Sequence, residues 1–501
     1  MSMNEKSVVI IGAGMGGLAA GIYGQLNGFK TEIFEMHRVP GGQCAAWKRN
    51  GYTFDACIHH LFGCDPRFRV YRLWEELGAM PRDLIPVEDC VSVLSPDGRL
   101  FKDYYDLERL KEHLMTLAPN DRAVIEHYLN GIKICMKRDI FGDMTFDGLK
   151  GVVRSIPMLW QLRSYLKPKL GQYAERFTDP LLRQGFPLVE YSFPEAPLLL
   201  HLVKHAYGAQ GGIAWPASGA EAFAKSIEQR YIDLGGQVHY KHKVVKILTD
   251  GNKATGVVLD DGTEYRADYV ISDADGRKTI CELLGGRFID DKIRKYIEEP
   301  DDETNWAVHV FLGVNRDLSN EPSSLVMLLD EPVVIAGHTC HSIDMQMYGF
   351  DPSMSPAGKG VIKVELFSKY SYWKQLAEDR QRYEEEKQRV ADQVIDLLER
   401  QHFPGLRSQV EAVDVPTLLT WERFMGGTHG FANMPKKPFN FVKSLSGRGL
   451  DITLPSLTRF YFVGVWATSA GALFMNALSG RKVMEIICKE EGKPFTSPHR
   501  L

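Results

Sequence analysis

The feature that most constrains the fold is a short apolar run that leads directly into a glycine-rich loop near the start of the chain. Val8-Val9-Ile10-Ile11 has the length and the β-branched composition of a buried parallel strand, and Gly12-Ala13-Gly14-Met15-Gly16-Gly17 follows it at once. The next residues predict a helix over 18–26 and a second strand over 31–34, which ends on Glu35. This order of strand, glycine loop, helix and strand predicts a βαβ unit that binds the ADP part of a dinucleotide.

The glycines of this loop and the acid after the second strand have separate physical tasks. Gly12 allows the tight turn, Gly14 lets the backbone approach a pyrophosphate, and Gly17 lets the helix pack closely on the strand. Gly16 lies beside them, where free N–H groups at the positive end of the helix dipole attract phosphate. Glu35 is placed to accept hydrogen bonds from a ribose hydroxyl. These five residues are the first candidate cofactor ligands.

Composition excludes several classes of function. The net charge is −4, so no global field favours nucleic acid, and we expect no nucleic-acid partner. The eight cysteines include no Cys-x-x-Cys pair, which favours reduced cytoplasmic thiols and predicts no metal site. No secretory signal is visible, and no stretch approaches the ~18 apolar residues that a transmembrane helix needs. The expected location is the cytoplasm, with contact at a membrane surface as an open alternative.

A second glycine motif follows Glu35. Arg38 precedes Val39-Pro40-Gly41-Gly42-Gln43, and a glycine pair behind a proline lets backbone pass close to a flat or phosphorylated group. At this distance from a βαβ unit the stretch resembles the second flavin-binding signature of the phytoene desaturase and amine oxidase superfamily. The resemblance implies that Arg38, Gly41, Gly42 and Gln43 contact the cofactor. The family usually has Arg where this chain has Gln43.

The stretch 51–60 strengthens the resemblance. Phe54-Asp55 is followed by a small residue and then by His59 and His60, as in the retinol saturase and carotenoid isomerase branch of the family, where this stretch runs beside the flavin. Cys57 stands where the family usually has glycine. His59 is the candidate catalytic residue, because an imidazole there could donate to a flavin carbonyl or move a proton. The plainer interpretation is a histidine bonded to backbone.

The end of the chain resembles the family again. A strand over 460–464 ends on Gly464, and a glycine- and alanine-rich turn leads into a helix from about Leu473. The resemblance implies that Gly471, Ala472 and Leu473 supply backbone contacts to the flavin. It also implies an adenine contact near Val244, in a predicted strand over 238–245.

These matches, in the family's order, imply an FAD-dependent oxidoreductase of the phytoene desaturase, retinol saturase and carotenoid isomerase group. The expected fold class is α/β, with a discontinuous Rossmann-like FAD-binding domain interleaved with a mixed-sheet and helical substrate domain. The expected FAD-binding parts are 1–105, 213–300 and 441–501, and the expected substrate-binding parts are 106–212 and 301–440.

The resemblance implies hydride exchange between flavin N5 and carbon, which would desaturate, saturate or isomerise a C–C bond of a polyprenyl, carotenoid or retinoid-like substrate. No second GxGxxG occurs, so the expected electron donor or acceptor is a quinone, a small redox protein or NAD(P)H. Two alternatives stay open. One is an amine oxidase of the same superfamily, which oxidises a C–N bond, and the other is a non-catalytic flavin- or lipid-binding protein.

One further stretch, 148–174, differs from its surroundings. It carries five Lys and Arg and no acid before residue 175, and these cations alternate with apolar residues that include Trp160. Pro157 and Pro168 are expected to divide it into short helices. A basic amphipathic segment of this kind suits contact with an anionic membrane surface. Packing of its apolar face on the protein is the alternative.

Overall fold

The computed structural model describes residues 5–81, 83–147, 149–190, 192–298, 304–427, 452–468 and 472–499. Twenty strands are found among them. They are β1 (Ser7–Ile11), β2 (Lys30–Glu35), β3 (Ala46–Arg49), β4 (Tyr52–Asp55), β5 (Leu61–Phe62), β6 (Leu84–Pro86), β7 (Asp89–Leu94), β8 (Leu100–Tyr104), β9 (Ile213–Pro216), β10 (Gln237–Tyr240), β11 (Val244–Asp250), β12 (Lys253–Leu259), β13 (Glu264–Arg266), β14 (Tyr269–Ser272), β15 (Thr304–Val314), β16 (Ser324–Ile335), β17 (His338–Met347), β18 (Gly360–Lys369), β19 (Val410–Asp414) and β20 (Phe460–Phe462).

Helices connect these strands. They are α1 (Met15–Leu26), α2 (Arg69–Glu76), α3 (Leu107–Leu117), α4 (Arg122–Cys135), α5 (Ile140–Asp147), α6 (Leu149–Gln161), α7 (Leu170–Ala174), α8 (Pro180–Gly185), α9 (Leu198–Ala209), α10 (Gly219–Asp233), α11 (Gly276–Lys278), α12 (Asp291–Glu298), α13 (Tyr370–Leu376), α14 (Arg380–Gln401), α15 (Leu418–Met425), α16 (Val465–Thr468) and α17 (Leu473–Glu490). Within the described ranges, no helix combines the length and the apolar character that crossing a bilayer requires.

A parallel five-stranded sheet carries the predicted βαβ unit. Its strand order is β10-β2-β1-β14-β20, and every neighbouring pair is parallel. Ile10, Ile33 and Ile271 are fully buried within it, because helices cover both faces of a parallel sheet. The predicted strand–loop–helix–strand unit is confirmed. Its helix begins at Met15, three residues before the predicted start.

The C-terminal helix α17 packs directly on α1. The closest approach is at Gly480, where an added Cβ would lie 2.6 Å from the backbone nitrogen of Ala20 and would also meet the carbonyl of Gly16. Only a residue without a side chain permits this backbone-to-backbone contact. The predicted helix at the end of the chain is therefore confirmed, and it is fixed against the glycine loop.

A small antiparallel sheet, β11-β12-β13, follows the edge strand β10. The single strand expected over 238–245 is two strands, because Lys241 takes a positive φ of 58° and turns the chain from one sheet to the other. The N–H of His242 donates to the carbonyl of Glu35 at 3.0 Å. This bond holds the start of β11 beside the end of β2.

A seven-stranded mixed sheet forms the second layer of the molecule, with the order β19-β15-β18-β17-β16-β7-β8. The expected combination of a parallel nucleotide-binding sheet and a mixed sheet is confirmed. The hairpin β7–β8 lies within residues 1–105, which the sequence places in the FAD-binding domain. Its strand β7 nevertheless pairs with β16 of this second sheet. Strand β17, which was not predicted, pairs with β16 on one side and with β18 on the other.

Helices α3 to α9 pack on this hairpin and form a second core. Phe101, Leu110, Ile132 and Leu202 are fully buried there, together with Val326 of the mixed sheet. Pro157 lies inside α6 and does not divide it. Helix α15 ends at Met425, and residues 428–451 lie outside the described ranges.

Replacing Gly480 with alanine is expected to lower the melting temperature, although alanine is the better helix former by about 1 kcal/mol. The added methyl group would meet backbone atoms of α1, and overpacking of this kind costs about 1–3 kcal/mol. Thermal unfolding followed by circular dichroism measures the effect. Gly171→Ala in α7 is the matched control, because its nearest atom to an added Cβ lies 3.4 Å away. A Gly480→Ala variant as stable as the parent protein would contradict the proposed packing.

Candidate dinucleotide and substrate site

Seven glycines meet at the carboxyl ends of β1 and β20. Gly12 has a φ of 97°, and Gly17 packs so closely on it that an added Cβ would overlap the Gly12 carbonyl. An added Cβ at Gly16 would lie 2.6 Å from the backbone nitrogen of Gly464. We call this surface the glycine cradle; its members are Gly12, Gly14, Gly16, Gly17, Gly41, Gly42 and Gly464.

The second glycine motif lies against the first. The N–H of Gly41 donates to the carbonyl of Ala13 at 2.8 Å, and an added Cβ at Gly42 would lie 3.4 Å from the Cα of Gly14. Both glycines have positive φ, 108° and 58°, which fixes the path of the loop. Arg38 is exposed and Gln43 is half-buried on the same loop.

Glu35 lies at the end of β2, where the sequence placed it. One carboxylate oxygen accepts the N–H of Ala13 at 2.8 Å, and the other accepts the N–H of His37 at 2.7 Å. The carboxylate thus fixes the glycine loop as well as the chain that leaves β2. Each oxygen keeps a second lone pair, as an acceptor for ribose hydroxyls requires.

The structure brings Gly464 into the cradle, and the N–H of Gly464 donates to the hydroxyl of Ser479 at 2.8 Å. Ala472 immediately precedes α17, and Leu473 is its first residue. Gly471 lies outside the described residues. Val244 begins β11, two residues after the backbone bond that joins His242 to Glu35.

Sequence reasoning did not single out Asp273, which follows β14 and enters the cradle. Its Oδ2 accepts the N–H of Gly17 at 2.7 Å. The signal that could have found it is its place after a strand adjacent to β1 in the parallel sheet. Side chains that follow neighbouring parallel strands converge at one sheet edge.

These residues fit a dinucleotide. The cradle offers mainly backbone, α1 has no acid in its first turn and no side-chain cap, and Glu35 at the end of β2 keeps acceptor lone pairs for ribose hydroxyls. An added Cβ at Gly14, Gly16 or Gly17 would fill the cradle or collide with its walls.

Asp55 positions the predicted catalytic stretch. It ends β4, and its buried Oδ1 accepts the N–H groups of Cys57 at 2.9 Å and Ile58 at 3.1 Å. Its Oδ2 accepts the N–H of Ala220 at 2.6 Å, at the start of α10. One carboxylate therefore fixes the turn before His59 and joins it to the nucleotide-binding domain.

His59 and His60 line a small cavity between this turn, β7, α9 and β17. We call it the polar cavity, because Lys204, Asp344 and Gln346 also line it. The side-chain amide of Gln346 donates to the backbone carbonyl of His59 at 3.1 Å. Because β17 was not predicted, sequence reasoning missed Asp344 and Gln346.

The imidazole of His59 contacts a carboxylate, so it is not satisfied by backbone alone. Its Nε2 lies 3.2 Å from Glu365 Oε1, and the ammonium of Lys363 lies 3.0 Å from the same oxygen. Burial lowers the pKa of His59, and the Glu365 carboxylate opposes this only in part. Burial, with the charge of Glu365 on the neighbouring strand, raises the pKa of Asp344 to about 7. The cavity therefore holds a neutral imidazole beside a carboxyl that titrates near neutral pH.

The sequence profile of the family described as flavin containing amine oxidoreductase matches residues 15–277, more than half of the chain. This chain belongs to that family. Membership of this family makes the protein a flavin-dependent oxidoreductase.

Two curated relatives are similar over most of their length. Prolycopene isomerase 2, chloroplastic, of an Oncidium hybrid cultivar is 26% identical over 496 residues, which cover 92% of this chain and 80% of the relative. The phytoene desaturase (lycopene-forming) of Pseudescherichia vulneris is 26% identical over 426 residues, 81% of this chain and 84% of the relative.

A solved structure agrees in fold. An oxidoreductase from Methanosarcina mazei superposes with a TM-score of 0.61 at 18% identity and covers 96% of this chain and 100% of its own. At this identity the agreement concerns the architecture alone. Because the superposition covers nearly the whole chain, the agreement includes both the parallel sheet and the mixed sheet.

A buried chain of charges extends from the polar cavity into the helical core. Lys204 donates to Glu190 at 3.0 Å, and the other oxygen of Glu190 lies 2.8 Å from His201 Nδ1. His201 Nε2 lies 3.2 Å from Asp103 and 2.7 Å from the hydroxyl of Tyr128. Burial disfavours a charge on His201, but the carboxylates of Asp103 and Glu190 prevail and raise its pKa to about 9. Positive and negative groups thus alternate, and their charges cancel.

We expect the melting temperature to fall as the pH rises from 7 through about 9. The pKa of His201 is about 9 in the folded protein against 6.5 ordinarily, so its stabilisation is complete below pH 6.5 and is lost above pH 9. The His201→Gln variant should melt lower at pH 7 and show a flatter profile. His341→Gln, at an exposed position, is the control and should keep the parent profile. An unchanged slope in His201→Gln would refute the assignment of the titration to His201.

Proposed function

We propose that this chain is an FAD-dependent oxidoreductase that desaturates, saturates or isomerises C–C bonds of an apolar polyprenyl, carotenoid or retinoid-like substrate. The observation that carries the proposal is the similarity to carotenoid desaturases and isomerases over most of the chain. Because these relatives are named for C–C chemistry, the amine oxidase alternative is not favoured.

FAD is the proposed flavin because the cradle is built for an ADP group. Phosphate binding at the start of α1 and ribose binding at Glu35 both need the adenosine diphosphate half that FAD has and FMN lacks. We assign the ligand role to the residues named from the sequence: Gly12, Gly14, Gly16, Gly17, Glu35, Arg38, Gly41, Gly42, Gln43, Val244, Gly464, Gly471, Ala472 and Leu473. Bound FAD would supply hydride exchange at N5.

An apolar substrate is supported by a wall of aromatic rings at the start of α17. The ring of Phe474 lies 5.2 Å from Phe141 and 6.3 Å from Phe62, measured between centroids. The ring of Tyr207 lies 5.9 Å from the ring of Phe62. The ring of His60, which lines the polar cavity, lies 5.6 Å from the same Phe62 ring. A polyene that follows this wall would reach the polar cavity. There we propose that His59 accepts or returns a proton.

The proposed electron partner is a quinone, a small redox protein or NAD(P)H. The chain has one GxGxxG motif, in the loop that we propose for FAD, so a second nucleotide would bind transiently. A non-catalytic flavin- or lipid-binding protein is the competing hypothesis. It differs in that its flavin would exchange electrons with no substrate.

The purified protein is expected to show flavin absorption near 370 and 450 nm. These bands should bleach when a donor such as NADPH or dithionite is added without air, and a polyene substrate should restore them or be isomerised. Bleaching by an amine would instead support the amine oxidase alternative. A flavin that no polyene reoxidises, with no polyene isomerised or desaturated, would support the non-catalytic alternative.

The His59→Gln variant tests the proposed proton role. It keeps a hydrogen-bonding side chain but cannot move a proton, so we expect kcat to fall by about 10²–10⁴-fold while the flavin spectrum stays unchanged. His341→Gln is the matched control at an exposed position. A kcat within twofold of the parent value would refute a catalytic role for His59.

We propose that α6 and the chain after it contact an anionic membrane surface. Val153, Ile156, Trp160 and Leu166 are 58%, 54%, 66% and 43% exposed, an unusual degree for large apolar side chains so close together. The opposite side of the segment packs on the helical core, where Met158, Leu162 and Tyr165 are buried. Arg163 stacks on Trp160 at 4.3 Å, which presents a cation beside the apolar patch.

Co-sedimentation with vesicles that contain anionic lipid tests this contact. The protein should bind at low salt and dissociate at high salt, and Ile156→Ser/Trp160→Ser should abolish binding. Val334→Ser/Val413→Ser is the matched control, because these two residues are also exposed and apolar but lie on the mixed sheet. Absence of binding by the parent protein at low salt would end the membrane hypothesis.

A further inference from the structure

Asp273 occupies a position inside the glycine cradle that the proposed function leaves unexplained. Its Oδ2 accepts the N–H of Gly17 at 2.7 Å. An added Cβ at Gly14 would lie 2.5 Å from the same oxygen, and one at Gly16 would lie 2.9 Å from Oδ1. A Cβ at Gly464 would overlap Oδ1. The carboxyl is therefore enclosed by the glycines that give a pyrophosphate its room.

An ionised carboxylate here would oppose the ligand. The N–H groups in the first turn of α1 are the donors that attract a phosphate, and Asp273 already accepts one of them. A pyrophosphate brings two further negative charges to the same place. A carboxylic acid would act in the opposite way, because its O–H donates to a phosphate oxygen.

The surroundings of Asp273 favour the protonated carboxylic acid over the ionised carboxylate. Burial is the main cause that raises its pKa to about 7, and the N–H groups of Gly17 and Gly16 oppose this in part. The cradle loop and Gly464 present backbone to it, and β2 presents the Glu35 carboxylate, whose charge raises the pKa further. Asp275, two residues along the chain, directs its carboxylate to the N–H of Lys278.

We propose that Asp273 is a proton-bearing member of the dinucleotide site, which binds the pyrophosphate of FAD as a carboxylic acid, so that FAD binding takes up one proton wherever Asp273 is ionised in the free protein. The inference rests on the proposed FAD cofactor. It assigns a specific residue that makes the affinity for FAD depend on pH.

The direction of the pH dependence follows from the coupling of FAD binding to proton uptake by Asp273. Below the pKa of Asp273 the acid is already present, so the Kd for FAD should be constant. Above it, each pH unit should raise the Kd about tenfold, because a proton must be taken up for each FAD bound. The holoprotein should therefore release FAD progressively between pH 7 and pH 8.5.

Equilibrium dialysis of the holoprotein from pH 5.5 to pH 8.5, with free FAD measured by its fluorescence, tests the proposal. The parent protein should show at least a tenfold rise in Kd above pH 7. Asp273→Asn, which keeps the shape but cannot titrate, should have a Kd that changes less than threefold over this range. Asp275→Asn is the matched control and should keep the parent profile.

A pH-independent Kd of the parent protein, or an unchanged slope in Asp273→Asn, would overturn the proposal. If Asp273→Asn fails to fold, calorimetric titration of FAD into the stripped parent protein decides the matter. Heats measured at pH 8 in two buffers of different protonation enthalpy must then show uptake of about one proton, and no uptake would refute the proposal. Absence of FAD binding at every pH would refute the cofactor assignment and this inference together, whereas pH-independent binding would refute this inference alone.

Discussion

The close contact of backbone with backbone around Gly16 is the constraint on which the rest of the structure depends. Gly464 meets it from the C-terminal strand, and Gly480 of α17 meets its carbonyl. These contacts join backbone to backbone, with the Asp273 carboxyl beside them, so the loop, the strand and the helix are held at fixed spacing. This spacing leaves the N–H groups of α1 open to an anion, and it sets the first residue of α17 beside the aromatic wall. One packing contact thus positions the starts of both α1 and α17.

The two polar systems beside the cavity follow a common electrostatic rule. Lys204, Glu190, His201 and Asp103 alternate in sign, and Lys363 balances Glu365 beside the neutral His59. A buried charge is expensive unless it is paired, so such networks persist only when every member has a partner. The result is a cavity whose polar groups are held in place and nearly neutral overall. That environment suits proton movement beside an apolar substrate.

Features encoded over short distances were predictable from the sequence, and those that depend on distant pairing were not. The glycine loop, Glu35, the Gly41-Gly42 motif and α17 were all located from local patterns, because glycine and helical periodicity act within a few residues. The place of the hairpin β7–β8 in the mixed sheet was not predictable, because its partner β16 lies more than 200 residues away. Asp344 and Gln346 were missed with strand β17. Asp273 was missed because only the strand order of the folded sheet places it beside Gly17.

The strand order of the nucleotide-binding sheet has a consequence for how the protein is made. Its central strand β1 has β2 on one side and β14 on the other, while β20 comes from the far end of the chain. During synthesis the N-terminal βαβ unit emerges early, but its neighbour β14 and the helix α17 that packs on it follow more than 230 and 430 residues later. Pairings over such separations form slowly and leave strand edges exposed. The nucleotide-binding sheet and the contact of α17 with α1 are therefore complete only after most of the chain has been made.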